Sequence, residues 1–501
     1  MTLAKSVAQG AAWMVAYRLV DRSLGLVSTL VLARLLVPAD FGLVAMATSL
    51  IAILELFNAF GLDVALIQRA NATRVHFDTV WTLNICAGAL IATCLLVLAW
   101  PLSVFYDDPR LVALTCVLAC GSAVQGFENV GVVAFRKEMN FDREFRYLAV
   151  KRLLTFFVST GLAFALRNYW ALALGMTFGR VAGVVISYRV HPFRPRFSFG
   201  AIRDLMHFSG WLFFQTLCFT LKERSADFIV GRIAGPQSLG ILSVSTEIAN
   251  MPGTELVAPI NRAAFPAYAR LAGDRQTLGR QYLDVASLVA LLVTPAVAGV
   301  GALGTIVVAL LLGPKWHEAV SLINLVALVG IANVLLNTSH PPVLAIGKPA
   351  VFAKITVFQL CIQIPALIFL TQRYGAWGAA LGYVISSVGL LPFSLWLILR
   401  TIGVAPTDFV REVWRPLVAA AVMYFVITLA MPPLDATTLG TAEALVVLAK
   451  YAPLGAAAYT ASVTLLWLAS GRPAGAEVTF IRQMLERWNA FRAARRPSAS
   501  G

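Results

Sequence analysis

Several ionisable side chains stand inside otherwise apolar stretches, and their types limit the chemistry they could do. Arg18, Asp21 and Arg22 cluster in the first such stretch, Lys222, Glu223, Arg224 and Asp227 in another, and Arg180 stands in a third. If these stretches are membrane helices, each charge costs about 2.5–3.5 kcal/mol to insert and is kept for a partner or a wet interior. Arg18 and Arg22 are four residues apart and share a helical face, with Asp21 beside them. Guanidinium forks grip phosphate oxygens in pairs and an ammonium adds a point charge. Arg18, Arg22, Arg180, Lys222 and Arg224 are therefore candidates for holding an anionic headgroup, with Asp21 and Asp227 neutralising the unloaded site. The competing reading is internal salt bridging: Asp21 with Arg18 or Arg22, and Glu223 or Asp227 with their neighbours.

Glu55, Glu128, Glu247 and Glu255 also sit in apolar surroundings. Burial raises a carboxyl pKa, so these four, with Glu223, are candidates for charge balance or for coupling to Na+ or H+. A hydrogen-bonded structural carboxyl is the plainer reading of each. Other motifs carry little. Gly299, Gly301 and Gly304 spell GxGxxG inside a hydrophobic stretch with no preceding strand, where a dinucleotide site has no support. Asp107 and Asp108 lack a nucleotide-binding domain to serve, and His76, His191, His207, His317 and His340 are too scattered to ligate a metal. No cofactor, metal or catalytic constellation is expected, and the chain reads as a non-enzyme.

The elements that must position these residues follow from composition. Of 501 residues, 59% are hydrophobic and 13% charged, against roughly 25% charged in soluble domains. The mean hydropathy is +0.78. Apolar runs long enough to cross the roughly 30 Å hydrocarbon layer recur throughout and leave no room for a sizeable soluble domain. The expectation is an all-α polytopic membrane protein with about fourteen transmembrane helices, suited to moving a large amphiphile across the bilayer. The spans are 11–36, 41–62, 77–102, 111–134, 145–166, 169–190, 208–234, 238–258, 282–312, 319–345, 351–372, 377–399, 414–431 and 445–469. Cys86, Cys94, Cys116, Cys120, Cys218 and Cys361 all fall within spans, as small packing residues rather than a disulfide framework.

The net charge of +15 is dispersed through short connections, which argues against nucleic acid and for a topology signal. With the N-terminus cytoplasmic, about 28 of the 40 Lys and Arg lie inside and about 7 outside, as the positive-inside rule requires. An even number of spans returns the C-terminus to the cytoplasm. The first span carries Arg18, Asp21 and Arg22 and does not read as a cleaved signal peptide. After the last span, 471–501 reads as a basic amphipathic tail, with Val478, Ile481, Leu485 and Trp488 on one face, suited to the anionic inner leaflet.

The chain also repeats itself. A shift of 198 places Trp13 on Trp211, Arg34 on Arg232, Pro38 on Pro236 and Gly42 on Gly240. A shift of 207 places Trp170, Ala173, Leu174 and Gly175 on Trp377, Ala380, Leu381 and Gly382. Spans six apart run in the same direction, so two parallel six-helix repeats around a central cavity are expected, with two extra C-terminal helices. This gives an N-lobe at 1–200, a C-lobe at 201–402, helices 13 and 14 at 403–470, and the tail. Gly175, Gly179 and Gly183, like Gly378 and Gly382, form small-xxx-small steps for close packing. Pro252, Pro259 and Pro266 predict a bend in the eighth span, a hinge or a static kink.

The segment Leu32–Gln68, LARLLVPADFGLVAMATSLIAILELFNAFGLDVALIQ, resembles the opening of polysaccharide flippases in the multidrug/oligosaccharidyl-lipid/polysaccharide exporter superfamily. That resemblance implies two six-helix lobes facing across a V-shaped, often cationic cavity that alternate access to the two leaflets. It implies transport of undecaprenyl-pyrophosphate-linked oligosaccharide units from the cytoplasmic to the periplasmic leaflet of the bacterial inner membrane, for capsule, exopolysaccharide or O-antigen. On it, the five bases above would hold the lipid pyrophosphate, and a polysaccharide polymerase and export machinery would be partners. Alternatives are a peptidoglycan-precursor flippase or a drug or cation exporter of the same superfamily. An integral-membrane polymerase or sugar transferase is disfavoured by the short outside connections.

Overall fold

The computed structural model describes residues 3–58, 62, 66, 67, 69, 71–202 and 210–472, and side chains from Trp13 onward in the first helix. The tail expected at 471–501 lies almost wholly outside the described residues. The described residues are helical with no strand among them, and every one of the fourteen expected spans is met by helix. The first six are α1 (Leu3–Leu35), α2 (Pro38–Leu54), α3 (Arg74–Tyr106), α4 (Arg110–Gln125), α5 (Phe141–Leu166) and α6 (Trp170–Val190). One continuous stretch, Gly210–Arg270, is broken at Gly235, whose φ of 79° is open to glycine, into α7 (210–234) and α8 (236–270). Then come α9 (Arg275–Ala302) and α10 (Ala319–Thr338). Gly375, at φ 56°, divides the next stretch into α11 (350–374) and α12, which continues through a π-turn at Ile385–Gly389 to Ile402. The last two are α13 (Pro406–Ala430) and α14 (Thr441–Ala469).

Eight helical stretches among the described residues, α11 with α12 counting as one, are long and apolar enough to cross a membrane. The charged stretches around Arg18 and Lys222 keep α1 and α7 outside that set. Ends differ from expectation where polar turns extend a helix past its apolar core. Thus α5 starts at Phe141, α13 at Pro406, and α8 runs on to Arg270. No residue of α8 beyond the Gly235 break leaves helical geometry, so Pro252, Pro259 and Pro266 are absorbed within a continuous helix. The fourth span departs most. After Gln125 the chain turns by 62° and resumes at Val130–Lys137. The break is built locally: a Cβ on Gly126 would stand 2.7 Å from the Asn84 carbonyl oxygen, and the Asn129 side chain accepts the Gly131 amide at 2.9 Å.

By packing, the chain forms two compact units: Met1–Ser243 with Leu311–Trp316 and Thr371–Ala376, and the remainder. In the first unit α6 lies against α5 over its glycine steps. A Cβ on Gly175, Gly179 or Gly183 would meet Ser159, Thr155 or Lys151 respectively, with Thr155 Oγ1 at 2.8 Å and Lys151 Cε at 2.6 Å. Lipid gives helices no hydrophobic reason to associate, so close van der Waals approach over small residues takes that role. In the second unit Val289 and Val293 of α9, Ile398 of α12 and Val413 of α13 share one core. Two buried hydroxyl contacts tie it: Tyr282 and Ser339 hydroxyls lie 2.7 Å apart, and the Tyr459 hydroxyl donates to the Leu291 carbonyl at 2.7 Å. Side chains such as Trp100, Phe157, Phe369 and Leu429 are exposed instead. In water such a surface would aggregate; on transmembrane helices it is the lipid-facing side.

In the first unit the two sequence copies of Pro-x-x-x-Gly meet. A Cβ on Gly42 would stand 2.6 Å from the carbonyl carbon of Pro236, and one on Gly240 would stand 2.7 Å from that of Pro38. The starts of α2 and α8 therefore cross backbone against backbone. Beside them Trp316 is fully buried, its indole N–H donating to the Ala33 carbonyl at 2.8 Å and its ring edge-on to Phe41. Asp40 joins the connection, one carboxylate oxygen accepting the Val37 amide at 3.1 Å and the other the Tyr169 amide at 3.0 Å.

Candidate functional site

A cleft of about 360 Å3 opens within the first unit between α3, α4 and the turn that follows α2. Two of the sequence candidates line it, Glu55 just past α2 and Glu128 in the break of the fourth span. Each carboxylate is held by a base from a neighbouring helix. Arg180 of α6 donates to Glu55 at 3.0 Å and also bonds the Ser122 hydroxyl. Lys151 of α5 reaches Glu128 at 3.1 Å, and the Tyr147 hydroxyl donates to the same carboxylate. Asn84, Ser122 and Gln125 complete the polar wall, with Leu62, Ile91, Val130 and Val133 among the apolar lining.

The wall beside Asn129 is tied to the segment that follows α6. The Asn129 amide nitrogen donates to the Phe193 carbonyl at 2.8 Å, and its backbone N–H donates to the Ser187 hydroxyl at 3.0 Å. From there the chain runs extended along the end of α3 that carries Arg74. Backbone amides of Arg196, Ser198 and Ala201 donate to Asp78, Thr82 and Thr79 at 2.9, 3.0 and 3.3 Å. Trp81 packs on Phe197, and Phe77 on Phe193. Three buried polar side chains spaced along one face of α3 thus serve as the anchors of a strap. Within it, burial pushes the His191 imidazole below its ordinary pKa, and its Nδ1 accepts the Phe193 amide at 3.1 Å.

The remaining candidates separate. Asp21 pairs with Arg152 of α5, at 2.9 Å. Arg18 and Arg22 are half-buried on α1. On α7, Arg224 and buried Asp227 pair at 3.2 Å, and the Tyr106 hydroxyl donates to the Asp227 carbonyl. Lys222 is half-buried one turn away and Glu223 is exposed. Glu247 and Glu255 lie on α8 in the second unit, where Glu255 accepts from the Thr254 hydroxyl at 3.2 Å. Asp108 is structural: it accepts both the backbone and guanidinium N–H of Arg110 where α4 begins. Tyr147, Lys151 and Arg152 were not among the sequence candidates, although they fall at the start of the expected fifth span, 145–166. Their signal was present: Tyr147, Lys151 and Thr155 recur at four-residue spacing on one face of α5.

The described residues form an all-helical membrane bundle with charge pairs between its helices. Solved structures with this fold include the lipid II flippase MurJ in an inward closed conformation. Its TM-score is 0.69 at 12% identity, covering 91% of this chain and all of that one. An inward-facing multidrug transporter of the MATE family follows at TM-score 0.62 and 16% identity, covering 76% of this chain and 95% of the other. The chain belongs to the polysaccharide biosynthesis protein family, whose profile matches residues 31–321. Relatives include the lipopolysaccharide biosynthesis protein WzxC of Escherichia coli K12, 23% identical over 425 residues that cover 83% of this chain and 86% of that protein. The succinoglycan biosynthesis transport protein ExoT of Rhizobium meliloti is 22% identical over 435 residues, covering 85% and 86%.

Proposed function

We propose that this protein is a transporter, not an enzyme, that carries undecaprenyl-pyrophosphate-linked oligosaccharide units from the cytoplasmic to the periplasmic leaflet for exopolysaccharide, capsule or O-antigen assembly. The observation that carries this reading is family membership across more than half the chain, joined to relatives named for lipopolysaccharide biosynthesis and succinoglycan transport that align over most of their length. The positive-inside distribution supports a bacterial inner-membrane location with both termini cytoplasmic. The sequence repeat supports alternating access of two lobes, 1–200 and 201–402, with helices 13 and 14 appended.

Arg18, Arg22, Arg180, Lys222 and Arg224 are assigned to the pyrophosphate. Arg180 and Arg224 are each paired with a carboxylate, so this assignment requires the phosphate oxygens to replace Glu55 and Asp227 as their partners. Such exchange keeps an empty site charge-balanced and leaves each base a partner in both states. Na+ or H+ coupling through one of the glutamates, and handover to a polymerase, belong to the same reading.

The test is a chromosomal deletion followed by leaflet-resolved labelling of lipid-linked repeat units. Accumulation on the cytoplasmic leaflet, cleared by the wild-type chain and not by Arg22→Glu or Arg224→Glu proteins inserted at equal levels, is the expected result. Unchanged polymer and no accumulation in the deletion would refute the reading.

A further inference from the structure

The cleft in the first unit has a wall whose chemistry matches neither end of a lipid pyrophosphate. An anion entering it meets Glu55 and Glu128. A small cation meets the same carboxylates already occupied by Arg180 and Lys151, and no group of three His, Cys, Asp or Glu fit to hold a metal exists among the described residues. Two acids matched by two bases leave a wall that is polar and close to neutral. What it still offers is hydrogen bonding. The side-chain amides of Asn84 and Gln125 have no hydrogen-bond partner among the described residues, and Glu55 uses one carboxylate oxygen on Arg180 and leaves the other open. Each amide supplies two donors and an acceptor, and the carboxylate oxygen supplies a further acceptor. Donors and acceptors set side by side are what adjacent hydroxyls of a ring require.

Size points the same way. The volume of about 360 Å3 lies at the small end of ligand pockets, which run about 300–1,000 Å3, and suits one or two pyranose rings rather than a polyprenyl chain. Asn84 lies ten residues along α3 from Arg74, about 15 Å of helix, so on the orientation above the cleft lies nearer the cytoplasmic end of α3 than its other end.

We propose that this cleft is a sugar subsite, in which Asn84, Gln125 and Glu55 bind hydroxyls of a glycosyl unit of the cargo while the bases assigned above hold the pyrophosphate. The proposal rests on the transport reading above. It separates recognition of the sugar from recognition of the charge, so removing the amides weakens binding of glycosylated lipid and leaves the bare lipid pyrophosphate unaffected.

The experiment uses the full chain in nanodiscs and two kinds of probe: polyprenyl pyrophosphate alone, and the same lipid bearing glucose, galactose or N-acetylglucosamine. Wild type binds at least one glycosylated probe more tightly than the bare one. Asn84→Leu and Gln125→Leu each weaken that probe about tenfold and leave the bare lipid within twofold. The unchanged bare-lipid affinity reports a folded variant; should a Leu variant fail to fold, Asn84→Ala and Gln125→Ala carry the same comparison. Wild type that binds bare and glycosylated lipids equally overturns the sugar subsite alone, as does equal weakening of both by the variants. Wild type that binds neither overturns the transport reading and the subsite with it.

Discussion

Gly42→Ala tests whether the crossing of α2 and α8 is as tight as the structure has it. The added methyl would stand 2.6 Å from the Pro236 carbonyl carbon and 2.9 Å from the Gly240 nitrogen, whereas carbon–carbon contacts settle at about 3.5–4.0 Å. The two backbones must therefore part by about 1 Å. Neither side can yield by a rotamer change, because the atoms met are main chain, and the neighbouring Trp316 is fully buried and hydrogen-bonded to Ala33. Overpacking of this kind costs about 1–3 kcal/mol. Gly161→Ala on α5 is the control, since a Cβ there meets nothing within 4 Å, and replacing a helical glycine then gains about 0.5–1 kcal/mol. Gly240→Ala should cost about as much as Gly42→Ala. The double variant should cost less than the sum, because the first methyl has already opened the gap that the second needs. The assay is thermal unfolding in nanodiscs at one scan rate, with a fall of about 1–3 °C for Gly42→Ala and none for Gly161→Ala. Gly42→Ala as stable as Gly161→Ala, or strict additivity in the double variant, would refute the reasoning.

Three further outcomes are expected. Trp316→Phe keeps the ring against Phe41 but leaves the buried Ala33 carbonyl without its donor, so unfolding should show a loss of about 1–2 kcal/mol, and no loss would mean the indole bond is not made. Asp21→Arg and Arg152→Asp should each impair insertion or transport, while the double exchange restores both; two harmless single variants would show that the α1–α5 pair is idle. Acid should loosen the strap. Burial, aided by Arg143 and Arg194 and opposed by Glu138, depresses the His191 pKa, so attachment is complete above about pH 6.5 and declines as pH falls toward the folded value. After correction for intrinsic rates, hydrogen exchange at the Phe193, Arg196, Ser198 and Ala201 amides should be faster near pH 5.5 than near pH 7.5. His191→Gln should abolish that difference, and equal protection at both values would rule the switch out.

Fourteen spans could be placed from apolar runs bounded by charge, proline and glycine because a bilayer demands a run of set length, and each run satisfies its own backbone hydrogen bonds. The glycine steps of α6 were legible for a related reason: small residues at four-residue spacing form a groove whatever fills it. Most intramembrane charges were equally legible, since they are rare enough to stand out, though Lys151 and Arg152 were passed over. Their partners were not. Proximity along the chain suggested Asp21 for Arg18 or Arg22, and could not show that α5 brings Arg152 to the same carboxylate. Arg180 found Glu55, 125 residues away, and Glu128 found Tyr147 and Lys151.

The break in the fourth span was hidden because Gly126 reads as an ordinary small residue until Asn84 of α3 is seen to touch it. The recurrence of Pro-x-x-x-Gly was visible in the amino-acid order, but not that its two copies touch. Patterning along the chain therefore determined where helices run and which side chains are costly to bury, both being properties of a segment and its solvent. Which charges neutralise each other, and where a polar cleft opens, are properties of pairs of segments, and those were decided only when the helices packed.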